Sequence, residues 1–585
     1  VRTWLALLPL LLLPPAASAA PLLVGVAPDL PGSWPGDEGF AVGSDAGFDL
    51  TGYKVTDGEG TWAFSPGTHV DAGGTIWVVG NLETWSRFQG PQPAIALSSG
   101  AMSGSFQLGN DGDGIRLLDP TGHTVDAFAW GHAKVAGMEG AVGMVSPGMV
   151  YLRDRVDGPW VDSDQAHDWV TPRIHRIGES ALDQPTFTVS NLTLYASPDS
   201  SFQVLSDHIG AARLRLHLHV YELRSASLVD LLVAAKHAHP GLDLQVFVEE
   251  NPVGQTASER HATADALRSI QAAGGTVTLA GPGRYDDFHL KVLLADDTVA
   301  VQSENWVESG VPEDPTTGNR GWGIAVRDAA LAGWFSTWME ADRMAWDAAP
   351  FNLTRYDPLY EPVARLAPRT GEYGPVAPAK TLAGTFQVTP IVAPDHTQDP
   401  RHDPLAALIG TATRLVAAQQ LDLATTASNR LSWISADPLA QAFAAAAGRG
   451  TNVRVQAAAA FSQDDPGNRG ALDDLAAQGV AVSVMARPGI QALHNKGLLV
   501  DDAAVVGSMN GNHHSRSANR EVDLLVRGPG VAAYYLSLFD ADWDGQARPP
   551  DASVIGRDLR ALPAAPVPTL LVALAVVVVR SRSRP

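Results

Sequence analysis

The chain has 585 residues, 45% of them hydrophobic and 18% charged, with a formal net charge of -22 and no cysteine. That length exceeds one hydrophobic core, and the composition excludes disorder as the main state. Absent cysteine excludes disulfides, thiolate nucleophiles and cysteine-ligated zinc, and the acidity means that any phosphate site has to be a local exception to the overall field.

Residues 1–20 read as a secretory signal peptide. Arg2 precedes an apolar run from Trp4 to Leu13, and Ala17-Ser18-Ala19 forms a small-residue cleavage pattern. Residues 21–140 read as all-β. Short alternating runs such as Thr75 to Val79 lie between the turn signals Asp57-Gly58, Gly73-Gly74 and Thr121-Gly122. A small sandwich is the expected outcome. The segments Asp49 to Tyr53, Asp113 to Asp119 and Gly122 to Asp126 resemble the lamin-tail domain. That resemblance implies an immunoglobulin-like sandwich, a late hairpin from the second and third segments, and an adhesion or targeting role toward an unknown ligand. The chain departs from that family at Gly39 to Val42, where an acidic-aromatic strand is usual. Residues 141–184 are expected as a linker.

From 185 to 548 strands and helices alternate. A strand at Leu244 to Val248, a helix at Ala262 to Ala273, the stop Gly274-Gly275 and a strand at Thr276 to Leu279 lead into His289. The same order recurs at Val453 to Val455, Ala471 to Gln478, Gly479 and Val480 to Val484, ahead of His494. Ser197-Pro198-Asp199 and Ala393-Pro394-Asp395 open the two stretches, and Asp342 and Asp542 close them. The expected architecture is a duplicated α/β unit with two pseudo-symmetric halves, 185–349 and 384–548, joined by a Pro-rich linker at 350–383.

His289-Leu290-Lys291 and His494-Asn495-Lys496 begin two identically spaced runs that reach Asp296 and Asp501, then Ser303-Glu304-Asn305 and Ser508-Met509-Asn510. Two of only six lysines in the chain sit in these runs. Residues two apart on a strand share a face. Each hairpin therefore offers a His, a Lys, a Ser and an Asn to one oxyanion, while Asp296 and Asp501 fall in turns and read as structural. Phosphodiester cleavage needs a nucleophile and a protonated acid, so the two histidines are expected in one site. The lysines supply the charge that a metal would, and no metal or cofactor is expected.

Paired HxKxxxxD motifs with a downstream Ser-x-Asn resemble the phospholipase D superfamily over residues 185–548. The resemblance implies a covalent phosphohistidine and metal-free hydrolysis or phosphatidyl transfer. It casts His289, His494, Lys291, Lys496, Asn305, Asn510 and Glu521 as catalytic and Ser303 and Ser508 as phosphate-binding. Gln302 stands where the family pattern has Gly. Glu521 supplies the acid that orients a motif histidine, taken to be His494, whereas Gly321 in the matching place leaves His289 without one. On that basis His494 is expected to be the acid and His289 the nucleophile.

At the end of the chain, Ala561 to Val579 is uncharged and is followed by Arg580, Arg582 and Arg584. That pattern reads as a membrane anchor or sorting tail at 561–579. The whole is expected to be an exported, surface-anchored phosphodiesterase, sufficient as a monomer and acting on phospholipids. A metal-independent endonuclease and a non-catalytic adhesion protein are the alternatives.

Overall fold

The computed structural model describes residues 20–543 apart from 31–37, 88–91, 144–148, 156–157, 170–174, 177–181, 365–367, 398–402, 424–436, 459–465 and 486. The expected signal peptide (Ala20 excepted) and the tail at 561–579 lie outside the described residues. Among the described residues no helix is long and apolar enough to cross a membrane.

The N-terminal region is sheet-rich. A six-stranded sheet includes Leu22–Ala27, Gly39–Ser44 and Gly74–Val79, and a five-stranded sheet includes Gly60–Ala63, Gly114–Leu118 and Thr124–Ala129. The last two form an antiparallel hairpin. Both sheets turn aromatics into one core, where Phe40 meets Trp62 edge-on at 5.5 Å. The expected linker at 141–184 is corrected by this core. Met149–Leu152 is a strand of the larger sheet, and Tyr151 and Trp169 are buried in the shared cluster. Arg153 is buried as well, forking onto Asp126 at 2.7 and 2.8 Å. Tyr151 and Trp169 are large apolar groups with a core to fill, which is why the segment packs instead of spanning solvent.

The rest of the chain is built on one sixteen-stranded sheet. Its seam is the antiparallel pair Phe187–Ser197 and Lys380–Ala393. Outward on one side run Gly318–Arg327, Thr298–Gln302, Lys291–Ala295, Arg215–Val220, Asp243–Glu249 and Thr276–Ala280. Outward on the other run Glu521–Arg527, Ala503–Gly507, Lys496–Val500, Leu415–Gln420, Asn452–Ala458 and Ala481–Met485. The two directions have the same order in sequence terms, first strand beside last. The central strands are buried on both faces, as the unbroken apolar runs Val292-Leu293-Leu294 and Leu498-Leu499-Val500 require. Helices Ala329–Arg343 and Val531–Trp543 pack on the seam, and one core cluster runs across it from Val292 to Leu538. The expected linker at 350–383 is likewise corrected, because Tyr373, Val376 and Ala377 are buried and Lys380 already begins the seam strand.

Candidate active site

Short backbone contacts across the seam set both histidines. Ile490–Leu493 pairs in parallel with Gly318–Arg327, and the His494 N–H donates to the Arg320 carbonyl at 2.9 Å. Phe288 bridges Arg520, and the His289 N–H donates to the Arg520 carbonyl at 2.9 Å. Each motif histidine is therefore held by the backbone of the opposite strand set.

The pleat turns His and Lys to one side, as alternation requires. Lys291 Nζ donates back to the His289 carbonyl at 2.8 Å, and Lys496 Nζ does the same to the His494 carbonyl at 2.8 Å. Asp296 and Asp501 occupy the turns with φ of 50° and 53°. Each accepts three backbone N–H bonds, from Arg213, Leu214 and Arg215 and from Thr413, Arg414 and Leu415. These bonds fasten the hairpin to the adjoining strand, and neither Asp is at the lysines.

The carboxylates correct the sequence expectation. Glu521 does not orient His494. It sits on His289, whose Nδ1 lies 2.8 and 2.9 Å from the two carboxylate oxygens. His494 has its own acid in Glu304, with Nδ1 to Oε2 at 3.4 Å. The reason is packing. The histidines reach across the seam, so each meets the strand or loop of the other set. An added Cβ at Gly321 would fall 2.3 Å from Glu304 Oε1 and 2.5 Å from Ser303 Oγ, so the glycine leaves room for Glu304. Gln302 has a similar account. It pairs across the ladder with Gly323, where the matching pair is Gly507 with Asp523. Large and small have exchanged strands, and Gln302 also accepts from the Tyr195 hydroxyl at 3.2 Å.

The serine hydroxyls make contacts of their own. Ser303 Oγ accepts from the Trp322 N–H at 3.1 Å and Ser508 Oγ from the Val522 N–H at 3.0 Å, and both residues are fully buried. Their hydroxyls serve the neighbouring strand, and Ser508 also hydrogen-bonds Glu521. The asparagines stay at the site. Asn305 Nδ2 donates to Glu222 at 2.5 Å, and the Oδ1 atoms of Asn305 and Asn510 are buried without a partner among the described residues.

Burial dominates the electrostatics. It presses both histidines well below the ordinary imidazole range, helped by Lys291 and Lys496. It lowers Lys291 to about 7 and Lys496 to about 8, and raises Glu521 to about 7 and Glu304 to about 8. An enclosed site with this many charges favours neutral forms until an anion arrives.

Sequence reading missed two features. The Tyr221 ring stands edge-on to His289 at 4.6 Å, with Lys291 Nζ 5.2 Å from its centroid. The other is a pair of buried arginine clamps. Arg320 holds Asp199 at 2.5 Å and Asp542 at 2.9 Å. Arg520 holds Asp342 at 2.8 Å and also Asp395. The opening and closing aspartates visible in the sequence are the partners of these arginines, one from each side of the seam.

The geometry is thus a histidine–lysine pair from each of two hairpins, with a carboxyl group behind each imidazole. Residues 412–543 match the family described as cardiolipin synthase, PLD-like domain. The His494 motif lies inside that match and the His289 motif outside it. The structure is similar to that of a phosphatidylserine synthase from Haemophilus influenzae Rd KW20, at 14% identity and a TM-score of 0.44, covering 63% of this chain and 88% of that one. It is similar to Nuc, a phospholipase D family member from Salmonella typhimurium, at 18% identity and a TM-score of 0.22, covering 29% of this chain and 99% of that one. NucT from Helicobacter pylori is similar at 16% identity and a TM-score of 0.23, over 28% of this chain and 100% of that one. No curated protein matches the sequence significantly.

Proposed function

We propose that the protein is a phospholipase D-type phosphodiesterase with one active site shared by two halves related by an approximate two-fold axis. The observation that carries this reading is reciprocal: Glu521 backs His289 and Glu304 backs His494, each from the opposite strand set. Glu521 accepts from the Ser515 hydroxyl at 2.5 Å and from Asn519 Nδ2 at 3.4 Å. As a carboxylate it accepts the hydrogen bond of the His289 Nδ1–H, which keeps the ring proton on Nδ1 and leaves Nε2 with a lone pair for phosphorus. His289 is the nucleophile, forming a phosphohistidine, and His494 protonates the leaving oxygen. Lys291 and Lys496 neutralise the phosphoryl oxygens, with Asn305 and Asn510 beside them.

Phospholipid is the substrate this reading favours. Glu222 and Asp422 follow the strands that pair with Lys291 and Lys496, and both act electrostatically on those lysines. Such flanks suit one isolated phosphate better than a chain of them, and the net charge of -22 acts in the same direction. Labelled phospholipids are expected to be cleaved or transferred in EDTA, and DNA to be left intact. DNA cleavage with intact lipid would favour the endonuclease, and loss of activity rescued by a divalent ion would overturn the lysine-based mechanism.

A pH dependence follows from the lysines. A lysine is cationic only below its own pKa, and burial lowers these two to about 7 and about 8. Substrate capture therefore takes up protons, and kcat/KM is expected to fall as pH rises through that window. A kcat/KM flat from pH 7 to 9 would contradict this.

Export and surface anchoring rest on the terminal sequences. Cell fractionation with and without residues 561–585 tests them. For the N-terminal region, an immunoglobulin-like, lamin-tail-type adhesion role remains our reading of its sequence segments.

A further inference from the structure

The phosphodiesterase reading leaves one feature without a purpose. The carboxyls behind the two histidines arrive by different routes and have unlike surroundings. Behind His289, Glu521 lies on the strand Glu521–Arg527, with Met509 in the opposing Ser-x-Asn loop. Behind His494, the strand position is Gly321 and the acid is Glu304, the loop residue that matches Met509. Glu521 is satisfied by hydroxyl and amide donors. Glu304, 1% exposed, has two long contacts on Oε2, from Asn319 Nδ2 and from His494 Nδ1, each at 3.4 Å, and its Oε1 has no hydrogen-bond partner among the described residues. Burial of a carboxyl so poorly satisfied favours its protonated form. Lys496, Lys291 and Arg320 face it and oppose that tendency without overcoming it, since Glu304 still rises to about 8. His494 is faced by Lys496, Lys291 and His289, all of which disfavour a second imidazole proton. An imidazole that cannot become a cation can still donate from Nε2 if Nδ1 is reprotonated in the same step.

We propose that Glu304 is the positioning acid of His494 and that its carboxyl proton passes to His494 Nδ1 as the Nε2 proton leaves for the departing alcohol. In the first step the bond from His289 Nε2 to phosphorus forms and the bond from phosphorus to the alcohol oxygen breaks. That oxygen takes the His494 Nε2 proton, Nδ1 takes the Glu304 proton, and the imidazole ends neutral beside a carboxylate. In the second step water or an acceptor alcohol attacks phosphorus, its proton goes to Nε2, the Nδ1 proton returns to Glu304, and the phosphorus–His289 bond breaks. The starting state is restored with no outside proton donor. Glu521 keeps its charge throughout and balances the phosphorylated imidazole of His289.

The inference rests on the phosphodiesterase reading, and the test separates the two. Glu304→Gln keeps the shape and removes the acidic proton. Two substrates are compared, one with an alkyl leaving alcohol and one with a nitrophenyl leaving group that departs with little acid help. Glu304→Gln is expected to lose on the order of 10-fold or more in kcat on the alkyl substrate, short of the roughly 10²–10⁴ of a whole general acid, and about 3-fold or less on the nitrophenyl substrate. A folded double variant, Glu304→Met with Gly321→Glu, returns a carboxyl to the strand position and is expected to recover most of the alkyl rate. Equal losses on both substrates, no loss on either, or no recovery in the folded double variant overturns the proposal. A wild-type enzyme inactive on both substrates overturns the phosphodiesterase reading and takes this proposal with it, whereas an active wild type with a uniform loss overturns this proposal alone.

Discussion

His289→Ala and His494→Ala are each expected to lower kcat by at least about 10³-fold, and the double variant to be no slower than the slower single one. The two side chains serve one phosphate, so removing either stops the same reaction. Burial depresses His494 most, and Lys496, Lys291 and His289 add to it, which places these three within electrostatic reach of His494. The fold is expected to survive, because both histidines lie outside the apolar clusters and their N–H bonds to Arg520 and Arg320 do not depend on the side chain. Two independent sites would behave differently, with each single variant keeping about half of the wild-type rate. Trapping adds a second reading of the same variants. His494→Ala given a nitrophenyl phosphodiester is expected to accumulate phosphohistidine, and His289→Ala none. An adduct found by mass spectrometry on His494 would reverse the assignment of roles.

The sequence argument for that assignment fails, because Glu521 backs His289 and not His494. Reading along the chain joins Glu521 to the nearer motif, because nothing local says that His494 reaches over the seam. The hairpins themselves were legible, since alternation fixes which side chains share a face and a two-residue turn fixes where Asp296 and Asp501 fall. What the one-dimensional pattern hides is exchange between strands. Gly321 looks like a lost acid until Glu304 is seen filling its space. Gln302 looks like a lost glycine until Gly323 is seen opposite it. A comparison of the two repeats by cross-strand pairs, and not by single positions, contains the signal in both cases. Tyr221 carried none, because the matching residue is Leu421 and an isolated aromatic after a strand is ordinary. The buried parts of 141–184 and 350–383 were missed for a related reason: Tyr151, Trp169 and Tyr373 are single aromatics without periodicity, and only a core waiting for them reveals their place.

Arg320→Met is expected to destabilise the sixteen-stranded unit by about 3–5 kcal/mol, the range for breaking a buried ion pair from one side. Arg320 is fully buried and joins four partners: Asp199, Asp542, the Ser197 carbonyl and the Tyr373 hydroxyl. Asp542 keeps Arg487 after the change, but Asp199 keeps only the N–H groups of Val376 and Ala377 and the Tyr373 hydroxyl. Asp199 is thus left as a buried carboxylate without a cation. Its pKa lies below the ordinary value because Arg320 and these donors outweigh the burial that would raise it. A carboxylate with a depressed folded pKa adds stability above its unfolded pKa, and that stability is lost as pH falls through the folded value. The deficit of Arg320→Met should therefore be largest near neutral pH and shrink as pH falls, first as the unpaired Asp199 of the variant takes a proton above the ordinary carboxylate value of about 4 and then as wild-type Asp199 is protonated below it. Denaturant unfolding, followed separately for the sheet-rich N-terminal region and the large sheet, reads the effect, and only the second transition should move. The Arg320 carbonyl also holds the His494 N–H, so the loosened strand should lower kcat even where the variant remains folded. A shift under about 1 kcal/mol, within the range of an exposed pair, would mean that the clamp does not hold the two strand sets together.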